Sequence, residues 1–90
     1  MREIKSIEEM LSFIKKSREG ERAVYYRGFL FDDRNNKLLY LKIREQIKIA
    51  NIAWKAYEQS LGTLVQKRNG DNDYSYIFQS YGVGRNVGFN

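Results

Sequence analysis

The sequence predicts an α+β domain in the order helix–strand–long helix–β-hairpin, with a three-stranded antiparallel sheet packed by two or three helices. Three observations carry that expectation. Residues 6–16 form a capped amphipathic run, residues 37–60 contain no Gly or Pro, and two β-prone runs flank Asn69-Gly70.

The first helix is dictated by local chemistry. Ser6-Ile7-Glu8-Glu9 reads as a capping box, in which the Ser6 hydroxyl and the Glu9 carboxylate satisfy backbone N–H groups that the first turn leaves unpaired. Ile7, Met10, Leu11 and Ile14 then make one apolar stripe, and Lys15, Lys16 and Arg18 complement the negative C-terminal end of the dipole. Gly20 is positioned to close the helix.

Residues 23–31 (AVYYRGFLF) are too short and too aromatic for a second helix and read as a strand, with Gly28 marking a bulge or a close backbone approach. Residues 32–36 (DDRNN) are turn chemistry, and Asp33 or Asn36 is placed to cap the next helix. Over residues 37–60, Ile43, Ile47, Ala50, Trp54, Tyr57 and Leu61 recur every three or four positions as one ridge, which Gly62 terminates. An unbroken helix here would be a rod of roughly 36 Å, long for so small a domain, so a break into two helices is open. Residues 63–68 and 74–81 read as a hairpin around residues 69–73 (NGDND), in which Asn69-Gly70 is the strongest turn signal because both residues tolerate positive φ. The domain is expected over residues 1–81, with a flexible Gly-rich tail over 82–90.

Composition limits the chemistry. With no His and no Cys, the commonest ligands for zinc, iron and copper are missing, as are thiol nucleophiles and the usual general base near neutral pH. No cofactor and no metal site is expected, and neither is an enzyme. A magnesium site on Asp32, Asp33, Asp71 and Asp73 competes poorly with their role in turns, and GVGRNVG over residues 82–88 lacks the spacing of a dinucleotide-binding loop. The charged N-terminus has no apolar core for a signal peptide, and no run reaches the ~20 apolar residues of a membrane span, so a cytoplasmic location without a membrane partner is expected.

Sixteen basic against 11 acidic residues give a net charge of +5. That balance favours nucleic acid, DNA before RNA, or an acidic protein surface. On the long helix, Arg44, Lys48, Asn51, Lys55 and Gln59 share one stripe that holds no acid. Cations suit phosphates, and amides can pair with adenine; the plainer reading is the polar face that any surface helix needs. Ile49, Ile52, Ala53 and Ala56 form a second apolar wall, and Ile49, Ile52 and Ala56 are candidates for a partner interface or homodimer, unless the first helix covers them. Lys67 and Arg68 at the hairpin end could touch phosphate. Tyr74, Tyr76 and Phe78 alternate on one strand face, as stacking platforms or as core. Arg27 either stacks beside a Tyr or pairs with a carboxylate.

The order of elements resembles the winged-helix DNA-binding domain. The matching segments are residues 8–16 for its first helix, 26–31 for its short strand and 62–81 for its wing. That resemblance implies a recognition helix carrying Asn51, Lys55 and Gln59, with Lys67 and Arg68 on the wing. It also requires a turn between the second and third helices, and Asn51 is the one candidate within residues 43–57. The Lys/Ile/Asn/Tyr-rich composition is similar to that of small phage-encoded proteins, which implies either a transcription regulator or an adaptor or inhibitor that docks on a host enzyme. A nucleic-acid-binding module is the first expectation, and a protein–protein adaptor using the second apolar wall is the alternative.

Overall fold

The computed structural model describes residues 1–84 and is an α+β fold with four helices and a four-stranded mixed sheet. In chain order the elements are β1 (Arg2–Glu3), α1 (Ile7–Lys16), β2 (Arg22–Gly28), α2 (Leu30–Asn35), α3 (Lys37–Lys42), α4 (Arg44–Glu58), β3 (Gly62–Gly70) and β4 (Asp73–Ser80). The strands lie in the order β1-β2-β4-β3, with β1 parallel to β2 and the other pairs antiparallel. The sheet is therefore four-stranded and mixed, where the sequence predicts three antiparallel strands. Two residues are too few to show a period, which is why β1 left no trace in the sequence pattern.

The Ser6 half of the capping box forms at the N-terminus of α1, where the Glu9 N–H donates to Ser6 Oγ at 3.1 Å, while the Glu9 carboxylate accepts from the Lys5 N–H at 3.2 Å, one residue before the cap. The helix ends at Lys16, earlier than Gly20, and Gly20 instead takes a positive φ of 89° in the turn into β2. Its buried residues are Met10, Phe13 and Ile14; Phe13 meets Phe78 of β4 edge-on, with ring centroids 6.3 Å apart.

Between β2 and α4 the chain departs most from expectation. β2 stops at Gly28 rather than running to residue 31, and 30–35 wind into α2. Gly28 has φ +125°, and a Cβ there would lie 2.9 Å from Asp33 Oδ2, so the close approach expected at this glycine is present while the irregularity in pairing falls at Tyr25. Asn36 then caps α3, its side-chain oxygen accepting from the Leu39 N–H at 3.1 Å. The long helical segment breaks, but at Ile43 and not at Asn51. Ile43 leaves helical geometry (φ −118°, ψ 29°) and packs against the core, and α4 continues through Asn51 without interruption.

Helix contacts reach the sheet on the face of Ala23, Tyr26, Tyr76 and Phe78. The core there joins Met10, Phe13 and Ile14 to Ile47, Ile49, Ala50, Ala53 and Ala56 of α4. The second apolar wall of α4 lies in the core shared with α1, which packs alongside α4, while the main ridge is buried at Ile47 and Ala50 and open at Trp54 and Tyr57. Burying such side chains contributes about 1.5–3 kcal/mol each for the larger ones. The opposite sheet face carries the cross-strand rows Arg22–Gln79–Thr63, Val24–Ile77–Val65 and Arg27–Ser75–Lys67.

The β3–β4 hairpin forms as expected, although its reversal lies at Asp71-Asn72 rather than Asn69-Gly70. Gly70 pairs with Asp73, and Asn72 is the residue with positive φ. A bulge at Asn69 takes up the extra length, and the Asn69 amide donates to Ser75 Oγ at 2.8 Å. The domain also extends past residue 81. Gly84 is buried, and a Cβ on it would collide with the Ile14 carbonyl of α1. The rest of the Gly-rich segment, residues 85–90, lies outside the described residues. No helix among the described residues is long and apolar enough to cross a membrane.

Candidate nucleic-acid interface

α4 owes its outward face to the burial of its inward one. With Ile47, Ile49, Ala50, Ala53 and Ala56 in the core, the stripe of Arg44, Lys48, Asn51 and Lys55 is exposed between residues 44 and 55. That is about 16 Å of helix, comparable to the axial length of about five nucleotides at 3.4 Å per step. Gln59 is exposed as well but caps the C-terminus of α4 rather than extending its stripe. Among the described residues Arg44 and Lys48 form no ion pair, so both charges face solvent uncompensated. Glu45, the nearest acid, is turned aside, where its carboxylate accepts from the Ile7 N–H at 3.4 Å.

α2 adds a cation to this surface that the sequence pattern did not single out. Arg34 donates from Nη2 to Asn51 Oδ1 at 2.8 Å, which joins α2 to the middle of the stripe. α2 itself is anchored from the sheet. The Tyr26 hydroxyl donates to Asp33 Oδ2 at 2.6 Å, and the Leu30 N–H donates to the Tyr76 hydroxyl at 3.1 Å. Burial and the Asp33 carboxylate together push the Tyr26 hydroxyl well above its ordinary pKa. Arg34 sat in a run of Asp and Asn that reads as turn, and nothing in its spacing linked it to a helix 17 residues away.

Trp54 and Tyr57 are a second surprise. Both lie on the apolar ridge of α4, yet Trp54 is 52% exposed and Tyr57 43% exposed, with ring centroids 5.4 Å apart. Between α2, α4 and the hairpin runs a trough of about 300 Å³, lined by Arg34, Ala50, Trp54, Leu64, Gln66 and Tyr76 among others. Tyr25 also borders it, and burial, reinforced by the neighbouring Tyr76, raises its hydroxyl to about 12. Arg34 lines two adjoining hollows as well, one reaching Phe29 and Tyr74 and the other Lys37, Tyr40 and Leu41. α3 contributes no buried residue, leaving Leu38 and Leu41 largely exposed beside Lys37 and Lys42.

The remaining candidates fall elsewhere. Ile49 and Ala56 are fully buried and Ile52 is half-buried, so this wall is core and not a partner surface. Lys67 and Arg68 are exposed, but as consecutive strand residues they project to opposite faces, Lys67 into the row of Ser75 and Arg27 away from the helices. Arg68 is drawn to the hairpin's own turn, donating to Asp71 Oδ1 at 2.7 Å and to the Gly70 carbonyl at 3.2 Å. The α4 stripe and the hairpin basic pair are thus not brought together. Phe78 is core, whereas Tyr76 faces the trough and Tyr74 packs edge-on against Phe29. Arg27 takes the plainer of its two roles, pairing with Glu3 at 3.0 Å, which holds the Glu3 carboxyl below its usual value.

Comparison with protein families, with curated proteins and with solved structures finds no match for this chain.

Proposed function

We propose that this chain is a non-enzymatic nucleic-acid-binding module that grips phosphates with the outward face of α4. One observation carries the reading. Arg44 and Lys48 stand on an exposed, acid-free helix stripe with no ion-pair partner among the described residues, and Arg34 is tied into its centre through Asn51. Arg27 and Arg68, by contrast, are each paired with a carboxylate. Leaving Arg44 and Lys48 uncompensated creates a local positive potential suited to a polyanion. The reading leans on that surface and not on winged-helix geometry, because the sheet is mixed and the hairpin cations lie apart from α4.

The test is charge reversal. Arg44→Glu with Lys48→Glu should abolish binding to labelled DNA at low salt, while far-UV circular dichroism stays unchanged because both side chains are exposed. A double variant that binds as well as the wild type would sink the reading.

α3 favours a second reading, in which an acidic protein is the partner. Its exposed Leu38 and Leu41, flanked by Lys37 and Lys42, would seat an acidic amphipathic segment. In that case Leu38→Ser with Leu41→Ser, and not the α4 charges, would remove binding.

A further inference from the structure

We infer that the trough beside α4 receives an unpaired nucleobase stacked on Trp54, so that the ligand is a single strand whose phosphates lie along the α4 stripe. The inference rests on the nucleic-acid reading above and adds the part of the ligand that is read.

Trp54 carries it first. An indole on the apolar ridge of an amphipathic helix ordinarily goes to the core, since it is among the largest apolar surfaces a chain can bury. Here Ile47 and Ala50 on that ridge are buried while Trp54 is 52% exposed. Tyr57 supports it at 5.4 Å, with the rings inclined at 48°. A supported, solvent-facing indole beside cations is the arrangement by which single-strand binders hold bases, because every base offers a π-face regardless of sequence.

The trough supplies the second half. Its lining is largely apolar, with Leu30, Ala50, Leu64 and Val65 beside the Tyr25 and Tyr76 rings, and besides the tyrosine hydroxyls its polar side chains are Arg34 and Gln66. Its lining includes no carboxylate. A guanidinium and a primary amide in a largely apolar hollow suit the carbonyl and ring-nitrogen acceptors on a base edge. The Asn51 oxygen engages one guanidinium nitrogen and thereby holds the planar fork in place. Because Asn51 and Lys48 belong to the same stripe, a strand running along the stripe passes the rim of the trough. A paired base cannot stack on Trp54, since both of its faces are covered by neighbouring pairs within the duplex.

A free nucleotide carries the same base chemistry, but one phosphate engages little of a stripe about 16 Å long. The strand is therefore the expected ligand.

Trp54 is the one tryptophan of the chain, so its fluorescence reports on this position alone. The protein is titrated with an end-labelled mixed-sequence 12-mer, with an abasic strand of equal length, with a duplex and with a nucleoside monophosphate, reading label anisotropy and tryptophan emission together. The base-bearing strand should quench Trp54. The abasic strand should bind about ten- to a hundredfold more weakly, with the same salt dependence and no quenching. Trp54→Leu should bring the base-bearing strand down to the abasic level while the circular dichroism spectrum is retained. Equal, salt-dependent binding of both strands without quenching would overturn the base site and leave the phosphate-binding reading standing. Quenching by the monophosphate at the concentrations at which the strand acts would overturn the assignment to a strand. No anisotropy change with any nucleic acid at low salt would overturn both readings.

Discussion

Arg34 and Asn51, 17 residues apart in the chain, are joined side chain to side chain at 2.8 Å, and this contact ties α2 to the solvent face of α4. Both residues are exposed, so the contact should add little to stability, on the order of 0.5–1 kcal/mol. Its consequence is positional. Arg34→Ala is expected to lower the melting temperature by a few degrees at most while weakening single-strand binding about tenfold. Arg34→Lys keeps the charge but loses the planar fork, and should rescue the salt dependence without rescuing the affinity. Thermal denaturation beside an anisotropy titration checks both halves.

Neutralising the stripe should change how affinity responds to salt. Each phosphate contact on a single strand contributes about 0.7 to the slope of log affinity against log salt. Arg44→Gln with Lys48→Gln should reduce that slope by about 1.4. Lys67→Gln should leave it unchanged, because Lys67 sits in the row of Ser75 and Arg27 on the sheet face turned away from α4. Affinities measured at four or five salt concentrations for the two variants decide this, and a Lys67 variant that matches the double variant would contradict the placement.

High pH should destabilise the fold through its buried tyrosines. The Tyr25 hydroxyl is raised from 10.0 to about 12, chiefly by burial, and that of Tyr26 is raised by burial and by the hydrogen bond to Asp33. Both groups ionise at lower pH in the unfolded chain, which then binds fewer protons than the folded one. Stability is therefore fully present below about pH 10 and falls as pH rises toward 12. For Tyr25 alone the loss is about 1.4 kcal/mol at about pH 11. Denaturant unfolding at a series of alkaline pH values should show the decline, and Tyr25→Phe should flatten it.

Residues 82–84 should behave as part of the folded body. Gly84→Ala forces a Cβ into the Ile14 carbonyl of α1, a backbone atom that cannot swing aside. The expected cost is about 1–3 kcal/mol, as for other overpacked sites, measurable as a lower midpoint in urea. A neutral outcome would return the domain boundary to residue 81.

How far each element could be read from the sequence depends on the range of the interactions that decide it. The α1 cap and the hairpin are decided within four or five residues and could be read directly, and Asn36 was one of two candidates for the α3 cap. Breaks and pairings decided by distant partners could not. Ile43 interrupts the helical segment because it turns into the core, and nothing in its neighbourhood marks it as a stop. β1 exists only because β2 lies beside it. The same division governs the site. Arg44, Lys48, Asn51 and Lys55 were legible because one helix carries them at helical spacing. Arg34 was not, because its contact spans two elements. Ile49 and Ala56 looked like spare apolar surface until α1 took its place alongside α4, whereas Trp54 looked like core and is half open to solvent.

The proposed phosphate-binding role of α4 is tested most directly by the anisotropy of a labelled single strand titrated with the wild-type protein, first at low salt and then at rising salt. Saturable binding that weakens linearly on a log–log plot, with a slope near −2 for about three engaged phosphates, is the predicted result. Absence of binding at the lowest salt, or an affinity indifferent to salt, would contradict it.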